Sequence, residues 1–281
     1  MEEGKPSEIV DAKLQREYRS GIGKLLHMTR WTRPEIYNSV RELSRYLGKC
    51  TKEHLRAMKR AMNYCVKTKD LGITFEPERK WDGTENHEFT ITGKSDSEYA
   101  KDTSRRSVNG WSVFLEGAPI SYKSKMMPVI ALSVTEAELF AAVQCAQDMM
   151  FAMRVMTSMG LKVKLPMVLQ IDNKGAFDLT NNWSVGGRTR HIEVKQYFLR
   201  ELKESGIIEC EWCPGTEMTS DIFTKNLPQE IFEKHASKFV QSERWSEKCE
   251  REKRHSQREG RVLEGVCAVM SQTTKDTYEQ V

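Results

Sequence analysis

The chain has 281 residues, 38% of them hydrophobic and 30% charged, and its formal net charge at pH 7 is +4. At roughly 150 residues per domain this predicts two domains, with enough apolar material for a sizeable core. No apolar run approaches the ~18 residues of a membrane span, none follows Met1-Glu2-Glu3-Gly4-Lys5 to make a secretory signal, and seven scattered cysteines suit reduced thiols, so an intracellular protein with no membrane partner is expected.

The charge is unevenly spread. Residues 18–75 carry 13 Lys and Arg against 4 Asp and Glu, whereas residues 86–226 carry 16 against 17. A basic block of that density suits a polyanion such as nucleic acid, or else an ordinary solvated surface. The block reads as helical. Ile36, Val40, Leu43 and Leu47 recur at helical spacing after Pro34, which a first helical turn tolerates, and Gly48 is a stop signal. Thr51-Lys52-Glu53-His54 opens a second helix with Leu55, Met58, Met62 and Cys65 on one face. Arg56, Lys59, Arg60 and Lys67 are left for the other faces, where they would suit a phosphate backbone.

Residues 76–87 are polar and turn-rich, as a boundary would be. Strands are expected at Glu88–Ser95, Gly110–Glu116 and Pro119–Lys123, the last two joined by a tight turn at Gly117-Ala118. A long helix follows from about Val134 to Met159, and Met167–Ile171 reads as a strand buried on both faces. Asp178 lies in a short helix. Thr189–Lys203 is another helix, Ile207–Trp212 a fifth strand and Ser220–Lys225 a last short helix. A three-stranded meander followed by alternating helix and strand predicts an α/β domain on a mixed five-stranded sheet flanked by helices. The expected division is an N-terminal extension at 1–17, the small basic helical segment at 18–75, a linker at 76–87, the α/β domain at 88–227 and a charged tail at 228–281, partly helical or disordered.

Four acids stand at informative places. Asp96 is at or near the end of the first strand, Glu138 near the start of the long helix, and Asp221 opens the final short helix. Asp172 directly follows the Met167–Ile171 strand, outside the carboxyl end where open α/β sheets bind ligands. Carboxylates from four elements meeting at one sheet edge repel one another unless cations hold them, and hard oxygen ligands favour Mg²⁺ or Mn²⁺. Each also has a structural alternative. Asp96 would serve as a turn residue, Asp172 as a helix cap, Asp221 as a partner of its own helix N-terminus and Glu138 as an exposed helix residue. Ser133-Val134-Thr135-Glu136 has capping-box spacing, so Glu136 is expected to reach back to the helix start. Glu138 points about 200° away around the helix.

Seven motifs in order carry a resemblance: SDSEYAKD (95–102), RRSVNGW (105–111), PISYKSK (119–125), ALSVTEAEL (131–139), LQIDNKGA (169–176), RTRHIEVKQYFLRE (188–201) and SDIFTKNL (220–227). Together they make Ser95–Leu227 resemble the ribonuclease H domain of Copia-type retrotransposon polyproteins. YRSGIGKLLHMTRWTRPEI (18–36) resembles the end of that family's reverse transcriptase. The resemblance implies a ribonuclease H-like fold and an endonuclease that hydrolyses the RNA strand of RNA–DNA hybrids with two Mg²⁺ ions. It assigns Asp96, Glu138, Asp172 and Asp221 as catalytic metal ligands. The family's first motif usually reads Asp-x-Asp-Trp-Ala, where this chain has Asp96-Ser97-Glu98-Tyr99-Ala100, so Glu98 competes with Asp96 as ligand. Glu136 competes likewise with Glu138, which the following Leu139-Phe140-Ala141 favours.

Arg105, Arg106, Lys123, Lys125, Arg188, Arg190 and His191 are candidate contacts to the hybrid backbone, with a solvated surface as the alternative. The Cys210-Glu211-Trp212-Cys213 spacing has no second pair to complete a zinc site. No adjacent Asp-Asp pair occurs, so the family's polymerase site is missing here and the reverse transcriptase palm and fingers are expected as an upstream partner. A cytoplasmic, nuclear or virus-like-particle location would follow. The rival reading is an inactive retroelement remnant that binds nucleic acid without cleaving it.

Overall fold

The computed structural model describes residues 9–84, 86–100, 104–181 and 193–242. They fall into two units, Met1–Thr74 with Asn226–Val281, and Phe75–Lys225.

The first unit opens with α1 (Ala12–Trp31), where the Asp11 carboxylate accepts the Leu14 N–H at 2.8 Å. This helix begins inside the stretch expected to be an extension. Its buried Tyr18, Ile22 and Leu25 have the same helical spacing that marks the later segments. A 3₁₀ turn at Pro34–Ile36 leads into α2 (Tyr37–Ser44), and α3 (Lys52–Lys67) follows. Thr51 caps α3 in a box whose third residue is His54 in place of the usual Glu: Thr51 N–H donates to His54 Nδ1 at 3.1 Å. The expected face of α3 is inward, with Leu55, Met58 and Cys65 buried among Tyr18, Ile22, Leu25, Ile36, Val40 and Leu43.

Two of the basic residues counted toward a nucleic-acid surface are inside this unit. Arg41 is buried and bonded to Asn38 and Glu42. Arg33 is 2% exposed, pairs with buried Glu35 at 2.6 Å, and donates to Thr68 O at 3.0 Å. It thereby ties the Pro34 turn to the end of α3.

After α3 comes the short strand β1 (Gly72–Ile73). The second unit takes over at Phe75, so the residues expected as a linker belong to it. Glu78 N–H donates to Glu116 O at 2.7 Å, and Arg79 pairs with the Glu116 carboxylate at 2.9 Å. Next come β2 (Glu88–Phe89), β3 (Ile91–Glu98), β4 (Val108–Leu115) and β5 (Ala118–Met126). Helix α4 (Val134–Ser158) precedes β6 (Lys162–Val163) and β7 (Met167–Ile171), and α5 (Lys174–Asn181), α6 (Glu193–Glu204) and β8 (Ile208–Trp212) complete the alternation. The main sheet has the order β5-β4-β3-β7-β8, antiparallel in the first three strands and parallel across β3-β7-β8. This is the expected mixed five-stranded sheet flanked by helices.

Helix α4 lies on one sheet face through small residues. Ala137, Ala141, Ala142, Cys145, Ala146 and Met149 are all fully buried. A Cβ on Gly93 of β3 would come within 2.4 Å of Met149 Sδ and 2.7 Å of Cys145 Sγ, so glycine there permits the close approach. Each large side chain in this layer, Leu139, Leu169 and Ile171 among them, contributes about 1.5–3 kcal/mol by leaving water. In β7 only Met167, Leu169 and Ile171 are fully buried, while Val168 and Gln170 are half-buried, so the strand is sealed on one face rather than two.

The opposite face is covered near β4 by a 3₁₀ helix, Thr219–Phe223, shorter than the helix expected at Ser220–Lys225. Here Gly110 faces inward: a Cβ would meet Thr224 Cγ2 at 2.7 Å, Phe223 Cβ at 2.8 Å and Ser220 O at 3.0 Å. The chain then returns to the first unit through α7 (Gln229–Ala236) and β9 (Val240–Gln241), which pairs antiparallel with β1. Phe232 of α7 packs edge-on against Tyr64. The start of the stretch expected as a charged tail is therefore built into the core of the first unit, and residues 243–281 lie outside the described residues.

Two substitutions test this packing by equilibrium urea unfolding. Arg33→Met strands Glu35 as an uncompensated buried charge and should cost about 3–5 kcal/mol. Gly110→Ala must push the Ser220–Thr224 backbone off β4 and should cost about 1–3 kcal/mol. Unchanged midpoints would contradict these contacts.

Candidate active site

Register brings the first two acids together. Strands β3 and β7 run parallel with Ser95 opposite Ile171, so Asp96 and Asp172 are each the next residue along, at the carboxyl ends of neighbouring strands. Asp96 is fully buried and still within β3, which continues to Glu98 rather than ending at Ser95. Asp172 has just left β7. Its carbonyl accepts the Trp212 Nε1–H at 3.1 Å, and the next side chain, Asn173 Oδ1, accepts the Ala176 N–H at 2.9 Å to cap α5. Capping thus falls to Asn173, and the Asp172 carboxylate is left for the cluster.

Glu138 comes in from α4. The helix starts at Ser133, whose hydroxyl accepts the Glu136 N–H at 3.1 Å, while the Glu136 carboxylate turns back to accept the Leu132 N–H at 2.7 Å. Glu136 also pairs with Lys195 at 3.6 Å. It serves the helix start, as its spacing suggests, although it reaches the residue before the cap rather than the cap itself. Two residues on, Glu138 is 4% exposed, and its Oε2 has no hydrogen-bond partner.

Ligand oxygens of Asp96, Glu138 and Asp172 all lie within 4.8 Å of one another. Glu98 is outside this group, as are Cys210 and Cys213, both of which are free and buried. The fourth acid is adjacent in a different way. Lys225 Nζ lies 3.0 Å from Asp96 Oδ1 and 2.9 Å from Asp221 Oδ1, and Thr224 Oγ1 donates to Asp96 Oδ2. Asp221 thus reaches the cluster through a lysine.

The electrostatics are those of crowded anions. Burial, then the charges of Asp96 and Asp172, hold the Glu138 carboxyl well above its ordinary range. Asp172 is pushed up to about 6 and Asp221 to about 7, in both cases by burial first and the Asp96 charge second. For Lys225, burial opposes ionisation, but Asp96 and Asp221 more than offset it and leave the ammonium more firmly protonated than usual. Three carboxylates this close, one with a buried oxygen lacking a partner, fit a hard divalent cation by charge and by donor type.

The other candidate residues are placed unevenly. Arg105 and Arg106 are exposed in the loop between β3 and β4, at the Asp96 end of the sheet. Lys123 and Lys125 lie opposite Trp111 and Asn109 on the edge strand β5. They alternate with Ser124, which faces Phe223, so they leave the sheet on the face opposite Asp96. Arg188, Arg190 and His191 lie outside the described residues. Lys225 and Thr224 went unassigned at the sequence level, although both sit inside the SDIFTKNL motif four and three residues after Asp221.

Acids from β3, α4 and β7, gathered at the carboxyl ends of the parallel strands in a β5-β4-β3-β7-β8 sheet, define an α/β domain of the ribonuclease H-like class. No protein-family model matches the chain. Relatives are nonetheless clear. The retrovirus-related Pol polyprotein from transposon RE1 of Arabidopsis thaliana is 30% identical over 223 residues, covering 79% of this chain and 15% of that protein. The corresponding polyprotein from transposon TNT 1-94 of Nicotiana tabacum is 31% identical over 217 residues, 77% of this chain and 16% of its own length. Over most of its length the chain is thus similar to retrovirus-related Pol polyproteins of Copia-type transposons, and it spans about 15% of the length of these relatives. Among solved structures, LC11-RNase H1 aligns at a TM-score of 0.38 and 12% identity, over 52% of this chain and 96% of that one. Among the described residues no helix is long and apolar enough to cross a membrane.

The raised carboxyls carry a stability signature. With pKa values of about 6 and about 7, Asp172 and Asp221 keep protons in the folded state that the unfolded chain has lost by about pH 4–5. The folded state therefore binds more protons across about pH 4–7, and stability falls as pH rises through that window. In chelator, the melting temperature should drop between pH 5 and pH 8, and drop less in Asp172→Asn. Equal drops would place the source elsewhere.

Proposed function

We propose that the Phe75–Lys225 unit is an endoribonuclease that hydrolyses the RNA strand of RNA–DNA hybrids with two divalent metal ions. One observation carries this reading: Asp96, Glu138 and Asp172 are drawn within 4.8 Å of one another at the ligand-binding end of the sheet, where a divalent cation would relieve their mutual repulsion. Similarity to retrovirus-related Pol polyproteins of transposons supports it.

Asp96, Glu138 and Asp172 would hold Mg²⁺ or Mn²⁺, with Asp221 beside them. Bound there, the ions would supply the positive charge that activates water and stabilises the leaving oxygen of a phosphodiester. The chain's own residues prepare the place. Thr224 and Lys225 orient the two Asp96 oxygens, the α4 start aims Glu138 inward, and Trp212 with Asn173 pins the backbone on either side of the Asp172 side chain. Asp172 is the least buried of the three. Arg105 and Arg106 stand at the same end of the sheet to meet the hybrid backbone, and the exposed basic residues of α1 and α3 add a second, sequence-independent grip.

A labelled hybrid incubated with the full chain and Mg²⁺ should yield RNA fragments. Asp96→Asn, Glu138→Gln and Asp172→Asn should each slow cleavage at least about a hundredfold while leaving hybrid binding in place. Glu136→Gln, which alters the helix-start contact and the Lys195 pair but none of the three cluster carboxylates, should stay close to wild type. Salt-sensitive binding with no cleavage by the wild type would favour the inactive remnant instead.

A further inference from the structure

Both oxygens of Asp96 are engaged by one short segment. Thr224 takes Oδ2, and Lys225 takes Oδ1 at 3.0 Å while also reaching Asp221 Oδ1 at 2.9 Å. The segment is held in place from below: Lys225 N–H donates to Asp221 O at 2.8 Å, and Ser220 Oγ donates to Lys94 O of β3 at 2.8 Å. Two-thirds of the Lys225 side chain is withdrawn from solvent. The acid cluster therefore has two unlike sides. Toward Asp96 and Asp221 an ammonium stands between the carboxylates, whereas on the other side Glu138 Oε2 is buried without a hydrogen-bond partner.

We propose that Lys225 is an internal counter-cation of this cluster, one that competes with divalent ions for Asp96 and Asp221. The proposal rests on the metal-binding reading given above. Once metal binding has ionised all four carboxylates, they and one ammonium carry a net charge of −3, enough for one divalent ion with the lysine in place. A second ion raises the cationic charge in the pocket to +5 against −4. The ammonium and that ion would then share the Asp96 carboxylate, and like charges a few Å apart in a half-buried site repel strongly. Lys225 must then give up a partner. On this account the lysine keeps the acids assembled in the metal-free chain and weakens the metal affinity that the carboxylates alone would have. Lys225 is a positioning residue, since it acts on the carboxylates rather than on substrate.

The test is a Mn²⁺ titration of chelator-treated full chain at fixed ionic strength, with free Mn²⁺ followed by electron paramagnetic resonance. Lys225→Met removes the charge and keeps the aliphatic stem, and it should bind Mn²⁺ about tenfold more tightly than wild type. Lys225→Arg, which keeps the charge, should bind like wild type. Circular dichroism checks folding, and if the methionine variant is unfolded, Lys225→Gln carries the same expectation. Affinity that is unchanged or weaker on loss of the charge, with wild-type binding still saturable and abolished by Asp172→Asn, overturns the role of Lys225 and leaves the metal reading standing. Absence of saturable binding by the wild type overturns both.

Discussion

The parallel pairing of β3 with β7 sets Asp96 and Asp172 side by side one residue beyond Ser95 and Ile171. Neighbouring strands lie about 4.8 Å apart, so two carboxylates at this point of the ladder cannot avoid one another. Much of the second unit follows from that constraint. Helix α4 must start where Glu138 can reach the pair, and the close approach it needs is granted by Gly93 and an alanine-rich helix face. The 3₁₀ segment must press against Gly110 for Thr224 and Lys225 to reach Asp96. Removal of the 3₁₀ layer would leave the two aspartates without the threonine and lysine that make their proximity tolerable.

The first unit shows how misleading a charge count is before burial is known. Residues 18–75 hold 13 basic side chains, yet Arg33 and Arg41 are structural. Arg33 in particular neutralises a buried glutamate and satisfies carbonyls at the end of α3. Lys59 is paired with Glu17 at 2.9 Å on the surface, where such a pair contributes little to stability. The surface that remains is still basic, through residues such as Lys24, Arg30, Lys52 and Arg56, but it is smaller than the raw excess suggests.

Most of the architecture was legible where periodicity is strong. The α4 boundaries, the strand at Met167–Ile171 and the inward face of α3 all follow from apolar spacing and a single capping residue. Legibility failed where long-range contacts decide. The Ala12–Trp31 helix starts before the block that reads as helical, because its buried apolar anchors, Tyr18, Ile22 and Leu25, all lie beyond residue 17. Strand β3 runs three residues past the expected Ser95, since Asp96-Ser97-Glu98 has no strand propensity of its own and is held extended by pairing with β4 as far as Val108. Residues 229–241 looked like tail because α7 has few large apolar residues, and its place comes from Phe232 meeting Tyr64 far away in sequence.

By itself the sequence determined which residue types were available and in what order: seven motifs, four spaced acids, and a helix start that separates Glu136 from Glu138. Local capping and side-chain period are properties of short segments, so those assignments needed nothing distant. Only the tertiary structure decided which carboxylates meet. Asp96, Glu138 and Asp172 are separated by 42 and 34 positions in the chain, and strand register and the seat of α4 bring them within 4.8 Å. It also decided that Asp221 arrives with a lysine in front of it. Charges acquire their pairwise energies through space rather than along the chain, and for that reason a nearly neutral stretch of sequence folds into a concentrated acidic site with its own cation.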